Sequence, residues 1–177
     1  MSNVASDIAF ARQTLSAVWQ EHTHAEFVLK DADAALATMV DDPYVLCIPS
    51  GTGGVGRAEV RDFYARQFLP CIPPDFELVP LSQVFGGERL VEEFVVRFRH
   101  TVAMDWMLPG VAPTDRKVEF ALTAVVGFRN GKVSHEHILW DQTAVLCQLG
   151  LLDLPVAHAG AASAARLLKL SEGFGIC

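Results

Sequence analysis

His135 and His137 stand at alternate positions on a β-like run, and Asp141 follows four residues on. Two imidazoles and a carboxylate on one face can move protons near neutral pH, because histidine titrates there and burial pushes a carboxylate toward that range. Taken singly, each histidine also fits a core imidazole hydrogen-bonded to backbone. The same set has the make-up of a facial metal triad. A third ligand at clear spacing is missing, however, and the other His-x-His pair, His22 and His24, diverges by about 200° around a helix. No metal is expected. Gly51-x-Gly53-x-x-Gly56 has dinucleotide-fingerprint spacing, but no second parallel strand with an acidic end follows its helix. It reads as a tight turn needing positive φ, and no cofactor is expected. Ser50, Cys47 and Cys71 lie in no nucleophile-elbow motif.

The element that must position the histidines is a hairpin over residues 120–141, turning at Asn130-Gly131. That turn pairs Arg129 with Lys132. Without a bulge, Phe128 then faces Val133, Val126 faces His135, Ala124 faces His137, Leu122 faces Leu139 and Phe120 faces Asp141. These pairs share one face, so the apolar wall of the hairpin is expected to carry His135, His137 and Asp141. The opposite face, with Ala121, Thr123, Val125, Ile138 and Trp140, is too apolar for free exposure and predicts an interface.

Upstream, Ser6-Asp7 opens a helix with Ile8, Ala11, Leu15, Val18 and Trp19 on one stripe, continued by His22 and Glu26. Residues 31–39 read as a second helix stopped at Asp41-Asp42-Pro43, and residues 44–48 as a strand. A third helix over residues 57–69 buries Val60, Phe63, Tyr64 and Phe68. Strands follow over residues 76–85 and 90–104, the second with Leu90, Glu92, Phe94, Val96, Phe98, His100, Val102 and Met104 on its inner face. Trp106, Met107 and Leu108 form an apolar loop that either caps a pocket or meets another subunit. Residues 142–149 form a short helix, and residues 157–170 an alanine-rich helix or a partly mobile tail. The expected division is a domain over residues 1–153 and a C-terminal helical tail over residues 154–177.

Helices first and an antiparallel meander second predict an α+β fold with helices on one side of a curved sheet. Its inner faces bring His22, Glu26, Glu92, His100, His135, His137 and Asp141 together, too many ionisable groups for a dry core. A length of 177 residues, 51% of them hydrophobic and 20% charged, suits one globular domain. A formal net charge of −7 with scattered basic residues argues against nucleic acid. Neither a bilayer-length apolar run nor a basic-then-apolar leader is visible, so no membrane partner is expected. Cys47, Cys71, Cys147 and Cys177 have no paired spacing, as in reduced thiols of a cytoplasmic protein.

Four stretches carry a family likeness: "KDADAALATMVDD", "GGVGRAEVRDFYARQF", "RFRHTVAMDWMLPGVAPT" and "GFRNGKVSHEHILWDQTAVLCQLGLLD". With this order of elements the chain resembles the SnoaL-like branch of the nuclear transport factor 2-like superfamily. The resemblance implies a cone-shaped, curved antiparallel sheet whose N-terminal helices close an apolar pocket, as in other cystatin-like folds. Relatives include ketosteroid isomerases, polyketide cyclases and binding-only members, and they often dimerise through the outer sheet face. In the cyclases an acidic pocket residue removes a proton alpha to a carbonyl, and Asp141 stands where that residue is expected.

The resulting expectation is a cofactor-independent isomerase, cyclase or lyase acting on a small, largely apolar carbonyl or lactone compound. Asp141 is the expected base, with His137 orienting it or donating to an enolate and His100 supporting it. His22, Glu26, Trp19, Tyr64, Glu92, Phe98, Trp106, Phe120 and His135 are the expected ligand-binding set. The competing expectation is a small-molecule-binding or accessory domain without turnover. A homodimer is the expected assembly.

Overall fold

The computed structural model describes residues 4–155 and 160–174. Helix α1 (Val4–His24) runs without a break into a π-helical turn, Ala25–Leu29, which Lys30 ends in the left-handed region at φ 52°. The outer part of the expected stripe, Ile8 and Ala11, has side chains outside the described residues. Asp31 caps α2 (Ala32–Ala37), its Oδ1 accepting from the amides of Asp33 and Ala34 at 2.9 and 3.1 Å. This helix stops short of the expected residue 39, because Met39 already opens β1 (Met39–Cys47). That strand runs through Pro43, with a register irregularity between Met39 and Tyr44. β2 (Thr52–Val55) pairs back on β1 through the glycine-rich turn, so the fingerprint-like spacing is a hairpin.

Helix α3 (Arg57–Asp62) also widens, into a π-helical stretch, Phe63–Phe68, before a 3₁₀ turn, Leu69–Cys71. Four long strands follow: β3 (Glu77–Gly86), β4 (Arg89–Arg99), β5 (Lys117–Arg129) and β6 (Lys132–Trp140). α4 (Gln142–Gln148) and α5 (Gly160–Phe174) end the described chain. The sheet order is β2-β1-β6-β5-β4-β3, antiparallel except where β1 joins β6 in parallel. The main core lies between its concave face and α1, α3 and the loop over residues 100–116, where Trp106, Met107 and Leu108 are all buried. On the convex face, Ala164, Leu167 and Leu168 of α5 pack against Val79, Leu81 and Val95. The C-terminal helix is therefore docked on the sheet. β4 ends five residues before the expected Met104, with His100 just beyond its last pair.

The Asn130-Gly131 turn holds, with φ of 54° and 72°, and pairs Arg129 with Lys132 and Phe128 with Val133 as expected. Past that point the expected register fails. Ser134 is an extra residue on β6, so Gly127 meets His135, Val126 meets Glu136, Val125 meets His137, Ala124 meets Ile138 and Leu122 meets Trp140. A one-residue bulge turns every later side chain to the other face. Its local cause is Gly127: a Cβ there would lie 2.0 Å from Cε1 of His135, whose ring occupies the space a side chain would need.

The bulge corrects several expectations together. Glu136, Ile138 and Trp140 point to the concave side, while His135 and His137 point to the convex side. Ile138 and Trp140 therefore cannot belong to an outer dimer face with Thr123 and Val125. Asp141 does not face Phe120; it is an exposed N-cap of α4, with Oδ1 accepting from the amide of Ala144 at 3.0 Å.

Candidate functional site

A cavity of about 450 Å³ lies between the concave face of the sheet and the two widened helices. Phe27, Phe63, Phe68, Phe76, Phe94 and Trp106 contribute aromatic rings to its wall. Three carboxylates reach the same wall: Glu26, Glu92 and Glu136. No Lys or Arg lines it among the described residues. Both π-helical stretches contribute here, Glu26 from one and Tyr64 from the other. A π turn inserts an extra residue per turn and re-aims the side chains beyond it, which is why such turns gather at functional sites.

His22 lies just behind the wall and ties the acidic groups together. Thr38 donates its hydroxyl proton to the carbonyl oxygen of Ala35 at 2.7 Å, so it accepts from His22 Nδ1 at 2.6 Å. That fixes a proton on Nδ1 and leaves Nε2 to face Glu136 Oε1 at 3.1 Å, Tyr64 Oη at 3.2 Å and Glu26 Oε1 at 3.4 Å. Tyr64 donates to the same Glu136 oxygen at 2.7 Å. Trp19 stacks on the imidazole with centroids 5.4 Å apart. Its indole N–H donates to Glu92 at 2.5 Å, and Gln83 donates to the other Glu92 oxygen at 2.6 Å.

Complete burial alone would strip His22 of its charge, yet the Glu26 and Glu136 carboxylates beside it outweigh that penalty and push its pKa up to about 10. Burial holds the Glu26 carboxyl above the usual carboxylate range, against the pull of His22. Burial and the two carboxylates together push the Tyr64 phenol well above its ordinary value. A low-dielectric site favours the neutral sum. Two protons shared among these three groups give that sum: a cationic His22, one carboxylate and one carboxyl. Such a cluster can take a proton from the cavity with one carboxylate and return one with the other. The three ligand atoms also lie within 4.8 Å of one another, so the residues fit to hold a divalent cation are His22, Glu26 and Glu136. They are not His135, His137 and Asp141.

Of the residues expected to bind ligand, Trp19, Glu26, Tyr64, Glu92 and Trp106 line the cavity, with His22 immediately behind them. Phe98 and Phe120 are core residues beyond its wall, edge to face at 6.3 Å. His100 is buried at the strand end against Thr114, outside the cavity, because β4 has ended before it. His135 stacks on Tyr44 on the convex face, and His137 Nε2 shares a 2.9 Å hydrogen bond with the Tyr44 hydroxyl. Alternation over residues 135–137 hid Glu136, which reads as the outward residue between two inward histidines. The signal that could have found it is Gly127, an isolated glycine inside a strand and thus a bulge marker.

Residues 9–136 match the SnoaL-like domain. No curated protein matches the chain. Among solved structures, a candidate polyketide cyclase of Streptomyces antibioticus, IdmH, is 22% identical, with 77% of this chain and 98% of that one covered at a TM-score of 0.58. AclR of Streptomyces galilaeus, a candidate hydroxylase, is 19% identical over 91% of this chain and 96% of its own, also at 0.58. A Catenulispora acidiphila protein with a ketosteroid isomerase-like fold, in complex with trimethylamine, is 14% identical over 76% and 93%, again at 0.58. At these identities the likeness is one of fold.

Proposed function

This chain belongs to the SnoaL-like domain family, and from that premise we propose that it is a cofactor-independent acid/base enzyme of the isomerase, cyclase or lyase kind. Its substrate is a small, largely apolar carbonyl or lactone compound. One observation carries the reading: two cavity-wall carboxylates meet over a single buried imidazole, at 3.1 and 3.4 Å. Glu136, which accepts from Tyr64 and His22, is the base that removes a proton alpha to the carbonyl. Glu26, whose burial keeps its carboxyl protonated to higher pH, is the acid that donates to the developing enolate oxygen. The proton leaves carbon for Glu136, the electron pair moves onto the carbonyl oxygen, and His22 balances the charge between the carboxylates. This assignment moves the base from Asp141, which stands outside the cavity.

The test is a screen of ketosteroid-like, polyketide-like and lactone substrates with wild type, Glu136→Gln and Asp141→Asn. Activity should fall by roughly a hundredfold or more in Glu136→Gln, the usual scale for losing a positioned base, with little change in affinity. Asp141→Asn should retain activity. The reverse pattern would return the base to Asp141.

A second reading, a binding or accessory domain without turnover, is favoured by one feature. The Tyr64, His22 and Thr38 hydrogen bonds close the acidic cluster on itself. It predicts no turnover in any of the three proteins and altered affinity alone. Self-association through the convex face is supported by Leu46 and Ile48, which are 37% and 46% exposed beside β6. Sedimentation of the wild type as a monomer would refute it.

A further inference from the structure

The three carboxylates on the cavity wall are not partnered alike. Glu26 and Glu136 share the imidazolium of His22, at 3.4 and 3.1 Å. Glu92 is 4% exposed, and its partners among the described residues are two neutral donors: the Trp19 indole on one oxygen and the Gln83 amide on the other. It accepts on both oxygens, as a carboxylate does, and each oxygen keeps a second lone pair. Trp19 stacks its ring on His22 and gives its N–H to Glu92, so an indole rather than a counter-charge links the two groups. Buried charges in folded chains are paired as a rule, because a low-dielectric surrounding penalises a lone one. Glu92 lacks that pair within the chain.

Strand register aims Glu92 into the cavity. It pairs with Gln83 of β3 and Ala124 of β5, and Ala124 pairs with Ile138 of β6. All four line the cavity, in one row across the concave face. The short Ala124 side chain leaves space beside the carboxylate. Gln20, His24 and Gln83 line the cavity and are exposed, so its mouth lies on the Glu92 side and gives a ligand its way in. Ring faces make up the surroundings: Phe94 stands two residues along on the same face of β4, and Phe27 and Phe76 stack at 6.1 Å. An aromatic face attracts a cation through its quadrupole. A carboxylate without counter-charge, set among rings in a cavity of about 450 Å³, suits a cation on an apolar body.

We propose that the cavity binds a protonated amine with an apolar body, its ammonium nitrogen held by Glu92 and the ring faces around it. This deepens the acid/base reading and takes from it only the carbonyl: the substrate is an amine-bearing carbonyl compound, with its ammonium at Glu92 and its carbonyl toward Glu26 and Glu136. The ammonium supplies the charge that Glu92 lacks. An uncharged analogue leaves the carboxylate alone, and an anion is repelled by it.

The probes are 2-phenylethylammonium, 2-phenylethanol and phenylacetate, titrated into the full chain by calorimetry near neutral pH, where the amine is protonated and the acid ionised. The ammonium should bind roughly ten- to hundredfold more tightly than the alcohol, the scale of a hydrogen bond to a charged group, and phenylacetate more weakly than either. In proton–nitrogen NMR of the wild type, the ammonium should move the Trp19 indole signal more than that of Trp140, which donates to Gln142. Glu92→Gln keeps an acceptor for Trp19 and removes the charge. It should bring the ammonium down to the affinity of the alcohol and leave the alcohol nearly unchanged. Glu136→Gln should keep the preference, which separates Glu92 from the proton-sharing cluster. An intact preference in a protein that turns over no carbonyl compound would sink the acid/base reading and leave the ammonium site standing. An ammonium that binds wild type no better than the alcohol would overturn the proposal whether or not the variants fold. So would a preference that survives Glu92→Gln or is lost in Glu136→Gln instead.

Discussion

On the concave side of the sheet one imidazole meets two carboxylates, and on the convex side two imidazoles meet each other and a phenol. His22 is fully enclosed, yet its pKa is pushed up to about 10, because Glu26 and Glu136 flank it. His135 is only half-buried, yet burial, then His137 and Arg89 nearby, push its pKa below the ordinary value. Depth alone would rank them the other way. The charge of the neighbours decides which imidazole keeps its proton, and that separates an acidic cluster around a buried cation from a packed aromatic cluster. His135 and His137 sit 5.2 Å apart and against Tyr44, an arrangement that stacking and one hydrogen bond account for.

The largest expected effect breaks the concave side. His22→Leu leaves Glu26 and Glu136 buried against each other without their cation, which should cost about 3–5 kcal/mol in urea denaturation at pH 8. His137→Leu, on the half-buried convex side, should stay within about 1 kcal/mol. Equal losses would erase the contrast between the faces. The pH dependence sharpens the same point. His22 binds its proton more tightly in the folded chain than in the unfolded one, so its stabilisation is full below about pH 6.5 and is lost as pH rises to about 10. The raised Glu26 carboxyl acts with the same sign. Wild-type stability should therefore decline across that window, and the Leu variant should lose the part of the decline carried by His22 near pH 10 while the buried carboxyls keep theirs at lower pH.

A smaller effect tests why the two faces differ at all. Gly127→Ala would drive its Cβ into the His135 ring and should cost about 1–3 kcal/mol, as overpacking does. Removing the ring first, with His135→Ala, should make the same change nearly free in a double-mutant cycle. Additive losses would mean that the fit of Gly127 to His135 does not hold the bulge.

The sequence shows one face of this contrast and hides the other. The inward parity of β4 and β5 is legible because Leu90, Phe94, Val96, Phe120, Leu122 and Val126 stand at even positions, all of them buried, while Glu93, Arg97, Glu119 and Thr123 stand at odd ones. The hairpin turn is legible because Asn and Gly tolerate the positive φ it needs. Trp19, His22 and Glu26 are legible at helical spacing, although the π turn that carries Glu26 leaves no periodic mark. Glu136 is not legible, because alternation cannot reveal an inserted Ser134, and one inserted residue exchanges the faces of everything after it. Asp141 is ambiguous for a related reason: Asp before a helix is as good a cap as it is a base, and here it caps α4.

The account depends on a proton held at His22, and nitrogen-15 NMR titration of the six imidazoles reads it directly. His22 should stay doubly protonated until about pH 10, while His135 titrates below 6.5. In Glu136→Gln the His22 midpoint should drop, since one flanking carboxylate is gone. A His22 that titrates near 6.5 in the wild type, unchanged by that substitution, would contradict the account.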